Sequence, residues 1–570
     1  MSVAKARRTQ LLSTYGVGSL FPSDTTSYMI AGIHEWKPRD ADTITEPRLA
    51  RSLGVSELKA PPAGSKRKRD IPVIRFPITQ VCPSCRRIDS IGKLSNDKEV
   101  SRCTCEKRAE LSPFRLIVAC ARGHIDEFPY YRWLHQGQDG GSNHTMHLRA
   151  QGRTSSLADL ELTCTCGVQA RSLDGSAGPK ALAGFGKCAG RRPWLGPGST
   201  QNCDETPRTL QRGASNVWLP AVRSAISIPP YSAALAKFVD RHWVSLGDPE
   251  AVTPALLRNL AEHSRRFSVQ QIETELERRR GEALDDHLTE EALRRQEYGA
   301  LIEGREQEGL DDDFVCLERD VPVDLEHLVS DVRKVTRLRE VRALYGFTRL
   351  DDENSDENLC ALSPEKTHWL PAIEVIGEGV FLAFHRDVLE EWAQKQFAAD
   401  RWSLLRRAAG PGLTRPGERS LTGLIRVALH TFAHVLIDQL SLSAGYPAAS
   451  LRERLYIDDG DMAGVLIYTA SSDSAGSLGG VASQAETERL GPALAEGLAR
   501  LSWCSADPVC IESHGSGTDA LNLAACHACV LLPETSCELG NRYLDRALLF
   551  GTPDGGHEDK GLFSDALMSI

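Results

Sequence analysis

The chain has 570 residues, 41% of them apolar, with 67 Lys and Arg against 77 Asp and Glu and a formal net charge of −10. That composition excludes an intrinsically disordered chain and leaves room for several packed cores, at about 100–200 residues per domain. It also excludes uniform electrostatic coating of a polyanion by the whole surface, but the charge is unevenly spread. Residues 1–230 carry 33 Lys and Arg against 20 Asp and Glu, whereas residues 231–570 carry 34 against 57. A basic part joined to an acidic part points to an anionic partner for the first and a different task for the second. Of the cations, 52 are Arg and 15 Lys. Planar, bidentate phosphate contacts favour Arg, and a GC-rich genome produces the same bias, so both explanations stay open.

The start, Met1 to Arg8, has charge but no apolar stretch behind it, so it does not read as a secretory signal, and no run of 18 apolar residues follows. The expected compartment is the cytoplasm, where thiols stay reduced and the 16 cysteines serve better as metal ligands than as disulfides.

Residues 10–36 alternate short apolar stretches with Gly and Ser, as short strands do, and Gly16-Val-Gly18 reads as a tight turn because no phosphate-loop pattern surrounds it. Residues 60–70 combine Pro, Gly and the block Lys66, Arg67, Lys68, Arg69, an exposed linker or loop. From 78 to 230 the chain is short strands, turns and cysteines. Between about 232 and 345 Glu and Arg at helical spacing predict long helices laced by i,i+4 pairs, an acidic helical insertion suited to a protein partner. Trp369–Phe384 reads as strand, Gly turn, strand. Beyond 420 the expectation is helix 424–442, strand 463–470, helix 483–502 and a cysteine-rich end. The fold class is therefore α+β and multidomain, with parts at 1–77, 78–230, 231–350 and 351–570.

Cys82, Cys85, Cys103 and Cys105 form two paired knuckles that bring four thiolates into the tetrahedral geometry of a structural zinc ribbon. In an open alternative, Cys120 or His124 replaces Cys103 or Cys105. A second set is Cys164, Cys166, Cys188 and Cys203, and a third is Cys510, Cys526, Cys529 and Cys537, with Cys504 and His527 as spares. Two to three structural zinc ions are expected. Such closed sulfur sites build structure and argue against a catalytic metal.

There is no GxxxxGK[ST], HExxH, GxSxG or kinase motif. His430 and His434 share a face of an apolar helix, but Thr431 stands where a zinc protease carries its Glu, so they read as hydrogen-bonded core histidines. Asp458 and Asp461, with Asp473, offer a Mg²⁺-dependent nuclease reading, set against an exposed acidic turn.

Several segments together resemble the DrmB family of the DISARM anti-bacteriophage system: Gln10–Gly18, Cys120–His124, Gln211–Asn216, Ser224–Pro229, Gly346–Arg349 and Leu521–Cys529. Residues from about 420 to 550 resemble an MrfA-type zinc-binding domain, a C-terminal α/β module. The resemblance implies that Cys510, Cys526, Cys529 and Cys537 bind zinc, and that the chain works beside a separate helicase-like ATPase of the DrmA type on invading DNA. With no motor motif of its own, the chain is expected to be a non-catalytic, DNA-binding accessory subunit without membrane or small-molecule partners; a pure scaffold without DNA contact is the other non-enzymatic reading. Candidate phosphate contacts are Arg7, Arg8, Lys66, Arg67, Lys68, Arg69, Arg191 and Arg192, chosen for clustering.

Overall fold

A computed structural model describes residues 5–564 apart from 24–25, 40–41, 64–69, 97–100, 139–143, 152–155, 179, 230–232, 265, 283–287, 308–312, 351–357, 410–420, 470–478, 518–520 and 552–560. The chain forms two compact units, 1–224 with 342–373, and 225–341 with 374–570. Two long strands, Val329–Thr348 and Trp369–Phe384, contribute residues to both. Neither 77 nor 350 separates the units, whereas the composition break at 230 lies close to residue 224. The first unit carries 36 Lys and Arg against 26 Asp and Glu, the second 31 against 51.

The first unit is made of short strands. Leu20–Pro22, Ser27–Ile30 and Val73–Arg75 pair antiparallel. Ile125–Glu127, Leu116–Ala119 and Arg208–Gln211 form a second sheet in that order. A third has six strands, none longer than Met146–Ala150 or Leu160–Cys164, in the order 171–172, 160–164, 146–150, 87–90, 79–81, 112–113. Its core is a modest cluster including Phe114, Phe128, Trp133 and Leu162.

Arg349 knits this unit's loops together. It is 1% exposed, and its guanidinium donates from Nε to the Gly123 carbonyl at 2.9 Å, from Nη2 to that of Gly18 at 2.7 Å, and from Nη1 to that of Val217. The cation lies 4.9 Å from the ring centre of Phe347 and 5.4 Å from that of Trp194. Burial pulls its pKa down to about 10, which leaves it charged at neutral pH. The Gly16–Ser19 turn, closed by the Ser19 N–H on the Gly16 carbonyl at 3.0 Å, thus presents an acceptor to Arg349.

In the second unit, helices fill only the first part of the expected insertion: Ala233–Arg241, Pro254–Ser264, Val269–Glu282 and Glu290–Glu303. Residues 314–319 and 329–348 are strands instead. Val329, Val332, Val335 and Val341 are buried there, and β-branched residues on a pleated surface outweigh the helical spacing of Arg and Glu. Trp369–Phe384 is one continuous strand, not two around a turn. Its glycines are needed for close approach: a Cβ on Gly377 would stand 2.3 Å from the Thr469 carbonyl oxygen, and one on Gly379 2.4 Å from that of Ile467.

That strand pairs with Ala463–Thr469, which pairs with Leu451–Ile457. Against them lies the helix Leu421–Ala444, buried nearly all round by the 451–457 and 463–469 strands, the helix Thr487–Arg500 and the segment Ala547–Phe550. By length and composition this helix would suffice to cross a membrane, but 83% of its most apolar window is buried inside the fold, as in a core helix. Charges buried here are matched. Arg454 and Glu297 make a bidentate pair at 2.8 Å, with the Tyr456 hydroxyl donating to the same carboxylate at 3.2 Å. Arg401 pairs with Asp545 at 2.6 and 2.7 Å.

Arg349→Met keeps much of the stem but leaves three buried carbonyls without donors. It is expected to cost about 3–5 kcal/mol, read as a lower urea midpoint. An unchanged midpoint would show that those carbonyls find other partners.

Candidate metal centres

The cysteines sit at turns, where short strands end and the backbone is free to point N–H groups at sulfur. The structure brings Cys82, Cys85, Cys103 and Cys105 together, with Cys82 Sγ 3.8 Å from Cys105 Sγ and Cys85 Sγ 3.7 Å from Cys103 Sγ. Ligand atoms around a tetrahedral zinc with bonds of about 2.3 Å stand about 3.8 Å apart. Burial pushes the Cys103 thiol up to about 12. Burial also opposes ionisation of Cys105, but the Ala109 backbone and the neighbouring thiols outweigh it and hold Cys105 at about 7. Four thiols this close ionise together only around a cation.

The second expected set is not the one the fold makes. Cys188 and Cys203 meet Cys120 and His124, while Cys164 and Cys166 meet His135 and His144. The cause is local. Cys120–His124 is the hairpin turn between strands 116–119 and 125–127, which places Cys120 Sγ 3.4 Å from His124 Nδ1 and 3.9 Å from Cys203 Sγ. His124 Nε2 faces the Gln201 side-chain oxygen at 3.3 Å, an arrangement that turns Nδ1 toward the sulfurs. Gly123 adopts φ +73°, and a Cβ there would lie 1.9 Å from Cys360 Sγ, so the turn requires glycine. The neighbouring Cys120 thiol is the main cause that draws the Cys188 thiol down to about 4.

Cys164 ends its strand, and Cys166 Sγ lies 3.3 Å from His135 Nε2. His135 Nδ1 is held by the Tyr131 carbonyl at 2.9 Å, and His144 Nδ1 by the Tyr131 hydroxyl at 3.2 Å. The Val168 backbone N–H, and then His135, bring the Cys166 thiol down to about 7.

The C-terminal set also changes one member. Cys504, not Cys537, joins Cys510, Cys526 and Cys529, at 3.5 Å from Cys526 Sγ; Cys510 and Cys529 are 3.8 Å apart. Asp507 holds the loop, accepting the Cys504 N–H at 2.9 Å and the Ile511 N–H at 3.1 Å while paired with the buried Arg546. Cys537 lies instead against His430 and Glu453.

The four groups that contain at least two cysteines are compatible with structural zinc. Sequence reasoning passed over Cys504, weighed Cys120 and His124 only for the first cluster, and missed His135 and His144. The signal for the last two was that a lone Cys-x-Cys knuckle needs two more ligands, and His135 and His144 flank the Gly-rich stretch before its partner strand.

The remaining candidates fare differently. Asp458 is 7% exposed. Its Oδ1 accepts the N–H groups of Gly460 and Met462 at 2.9 and 3.0 Å, and its Oδ2 pairs with Arg295 at 2.5 Å. It closes an acidic turn, and among the described residues no metal-ligand group includes Asp458 or Asp461; Asp473 lies outside the described residues. Of the phosphate candidates, Arg8 pairs with Asp42 at 3.0 Å, Arg191 with Asp126 at 3.3 Å, and Arg192 donates to the Thr200 carbonyl at 3.3 Å. Arg7 is exposed, and Lys66, Arg67, Lys68 and Arg69 lie outside the described residues.

Three comparisons bear on these groups. Residues 7–219 match a domain of unknown function (DUF8724), which spans all three clusters of the first unit. Residues 432–530 match the MrfA Zn-binding domain, a stretch that contains Cys504, Cys510, Cys526 and Cys529 and stops before Cys537. Over 571 aligned positions the chain is 32% identical to the DISARM protein DrmB of Bacillus paralicheniformis, covering 94% of this chain and 99% of that protein.

Paired substitutions test the grouping. Cys188→Ser with Cys203→Ser is expected to remove one zinc per chain, and Cys164→Ser with Cys188→Ser two, by plasma mass spectrometry of the intact protein. Equal losses in the two double variants would restore the single Cys164/Cys166/Cys188/Cys203 site.

Proposed function

The chain belongs to the DrmB family of DISARM proteins, and on that premise we propose that it is a non-catalytic subunit of bacteriophage defence that holds DNA for a helicase-like ATPase supplied in trans. The observation that carries this reading is the division of charge. The first unit is net +10 and the second net −20. Zinc bound by the first unit's three clusters lowers its charge to +7, counting each cysteine as a thiolate, so it stays basic.

Short strands and metal-fixed turns expose backbone N–H groups and Arg along loops, which suits sequence-independent contact with phosphates. The acidic second unit repels DNA and is the better place for the protein partner; its helices between 233 and 303 offer charged faces for one. The absence of a nucleotide-binding motif agrees with a separate motor. The engagement of both Asp458 carboxylate oxygens within the fold supports a non-catalytic role. On this reading the protein acts in the cytoplasm, where injected phage DNA is found.

A pure scaffold is the second reading, favoured by the ion pairs of Arg8 and Arg191, which leave those residues less available to phosphate.

Fluorescence anisotropy with labelled duplex and single-stranded DNA separates the two. If about four phosphates are neutralised, affinity is expected to fall on the order of 10²-fold between 50 and 200 mM salt. No binding alone, together with no gain in the partner's DNA affinity, would leave the scaffold. Metal-dependent cleavage by the purified wild type, lost in a folded Asp458→Ala/Asp461→Ala variant, would overturn the non-catalytic assignment.

A further inference from the structure

His430, His434, Glu453 and Cys537 converge in the core of the second unit. The two histidines stand one turn apart on the helix Leu421–Ala444, Glu453 is on the strand Leu451–Ile457, and Cys537 is in the C-terminal cysteine-rich segment. The first three are 0% exposed and Cys537 6%. We propose that these four side chains form a further closed zinc site, distinct from the four-cysteine cluster, that ties the core helix to the sheet and to the C-terminal segment.

The hydrogen-bond pattern carries the argument. His430 Nδ1 faces the Tyr543 carbonyl at 3.2 Å, and His434 Nδ1 the Val530 carbonyl at 2.8 Å. A carbonyl only accepts, so each Nδ1 carries a proton, and in the neutral ring each Nε2 then presents a lone pair. Both lone pairs point into the same space as the Glu453 carboxylate and Cys537 sulfur. His430 Nε2 is 3.1 Å from Cys537 Sγ and 3.0 Å from Glu453 Oε1, and His434 Nε2 is 3.7 Å from Glu453 Oε2. Carbonyls that accept from the far nitrogen of metal-binding imidazoles orient those rings in the same way.

Two further features separate an ion from a set of proton-mediated pairs. His434 Nε2 and Glu453 Oε2 are buried without a hydrogen bond. An imidazolium bonded to a carboxylate would close to about 2.8 Å, a length the His430–Glu453 pair at 3.0 Å approaches. The 3.7 Å between His434 Nε2 and Glu453 Oε2 is nearer the roughly 3.3 Å between two atoms each about 2.0 Å from one tetrahedral zinc. Cys537 Sγ also accepts the backbone N–H of Leu539 at 3.3 Å and that of Asn541 at 3.1 Å. The bond from the residue two positions on recurs at Cys188, Cys504 and Cys526, each in one of the other clusters. Such donors favour a thiolate over a thiol. Two neutral imidazoles, a carboxylate and a thiolate around Zn²⁺ sum to zero charge, which suits a site with no access to water.

Zinc content of the full-length protein tests the proposal. The wild type is expected to hold one ion in each of the five groups. His434→Ala and Cys537→Ser are each expected to lose one ion, and the double variant the same one. Folded variants with wild-type zinc content would overturn the site. Because a core substitution can prevent folding, zinc-edge anomalous diffraction from wild-type crystals gives an independent reading. A peak about 2.0 Å from Nε2 of both histidines is expected, and ordered side chains with no peak between them would overturn the proposal.

Discussion

In the cysteine-rich part of the first unit, short strands joined by long loops leave cross-links between turns to hold much of the backbone, and this constraint shapes the rest of that region. Strands over most of residues 70–211 are only two to five residues long, even where they are buried throughout as Leu116–Ala119 is, and ordering the loops between them costs conformational entropy. Cross-links that act on backbone and turns add to the apolar clusters there. Arg349 gathers three carbonyls from loops far apart in sequence, those of Gly18, Gly123 and Val217, and the metal groups of this unit close loops between ligands, the most distant being Cys120 and Cys203. A metal ion supplies folding free energy where a core does not, at the cost of collecting thiolates that repel one another without it. The segments by which the chain resembles DrmB include Gln10–Gly18, Cys120–His124 and Gly346–Arg349, and all three contribute to the Arg349 knot.

The second unit meets a different constraint, since its central helix is apolar on every face. Such a helix is stable in water only when covered all round, and polar groups on it need partners from the covering elements. His430, Thr431 and His434 therefore reach residues that follow far along the chain: Tyr543, Asp545 and Val530. The cysteine-rich end is thereby fastened to the helix through polar groups as well as through apolar packing of Ala547–Phe550.

What was legible in the sequence follows from the range of the interactions. Leu421–Ala444, Ala463–Thr469 and Thr487–Arg500 lie close to the expected 424–442, 463–470 and 483–502, because periodicity is local. Cys82, Cys85, Cys103 and Cys105 were grouped by spacing because one ribbon of chain supplies them all. Ligands drawn from different hairpins were not: nothing local distinguishes Cys188 meeting Cys120 from Cys188 meeting Cys164, and Cys537 follows the Cys526/Cys529 knuckle as closely as a fourth ligand would. The glycines of Trp369–Phe384 misled for a related reason, since the carbonyls of 467 and 469 that exclude a side chain there lie about 90 residues away.

The excess of arginine acquires an explanation that neither phosphate binding nor base composition provides. Arg349, Arg401 and Arg454 are buried in fork-like contacts that a lysine ammonium does not reproduce. Part of the cation content is thus internal, and the outward field of the first unit is set by what is left. An arginine paired one to one with aspartate, as Arg191 is with Asp126, contributes little at a distance, whereas Arg8 and Arg39 share Asp42 and keep one positive charge between them. Attraction for DNA would then come from many weak, dispersed contacts, with the metal groups fixing the loops that carry them. On the proposed reading such a surface would grip a backbone without reading bases, and the choice of which DNA to act on would fall to another part of the assembly.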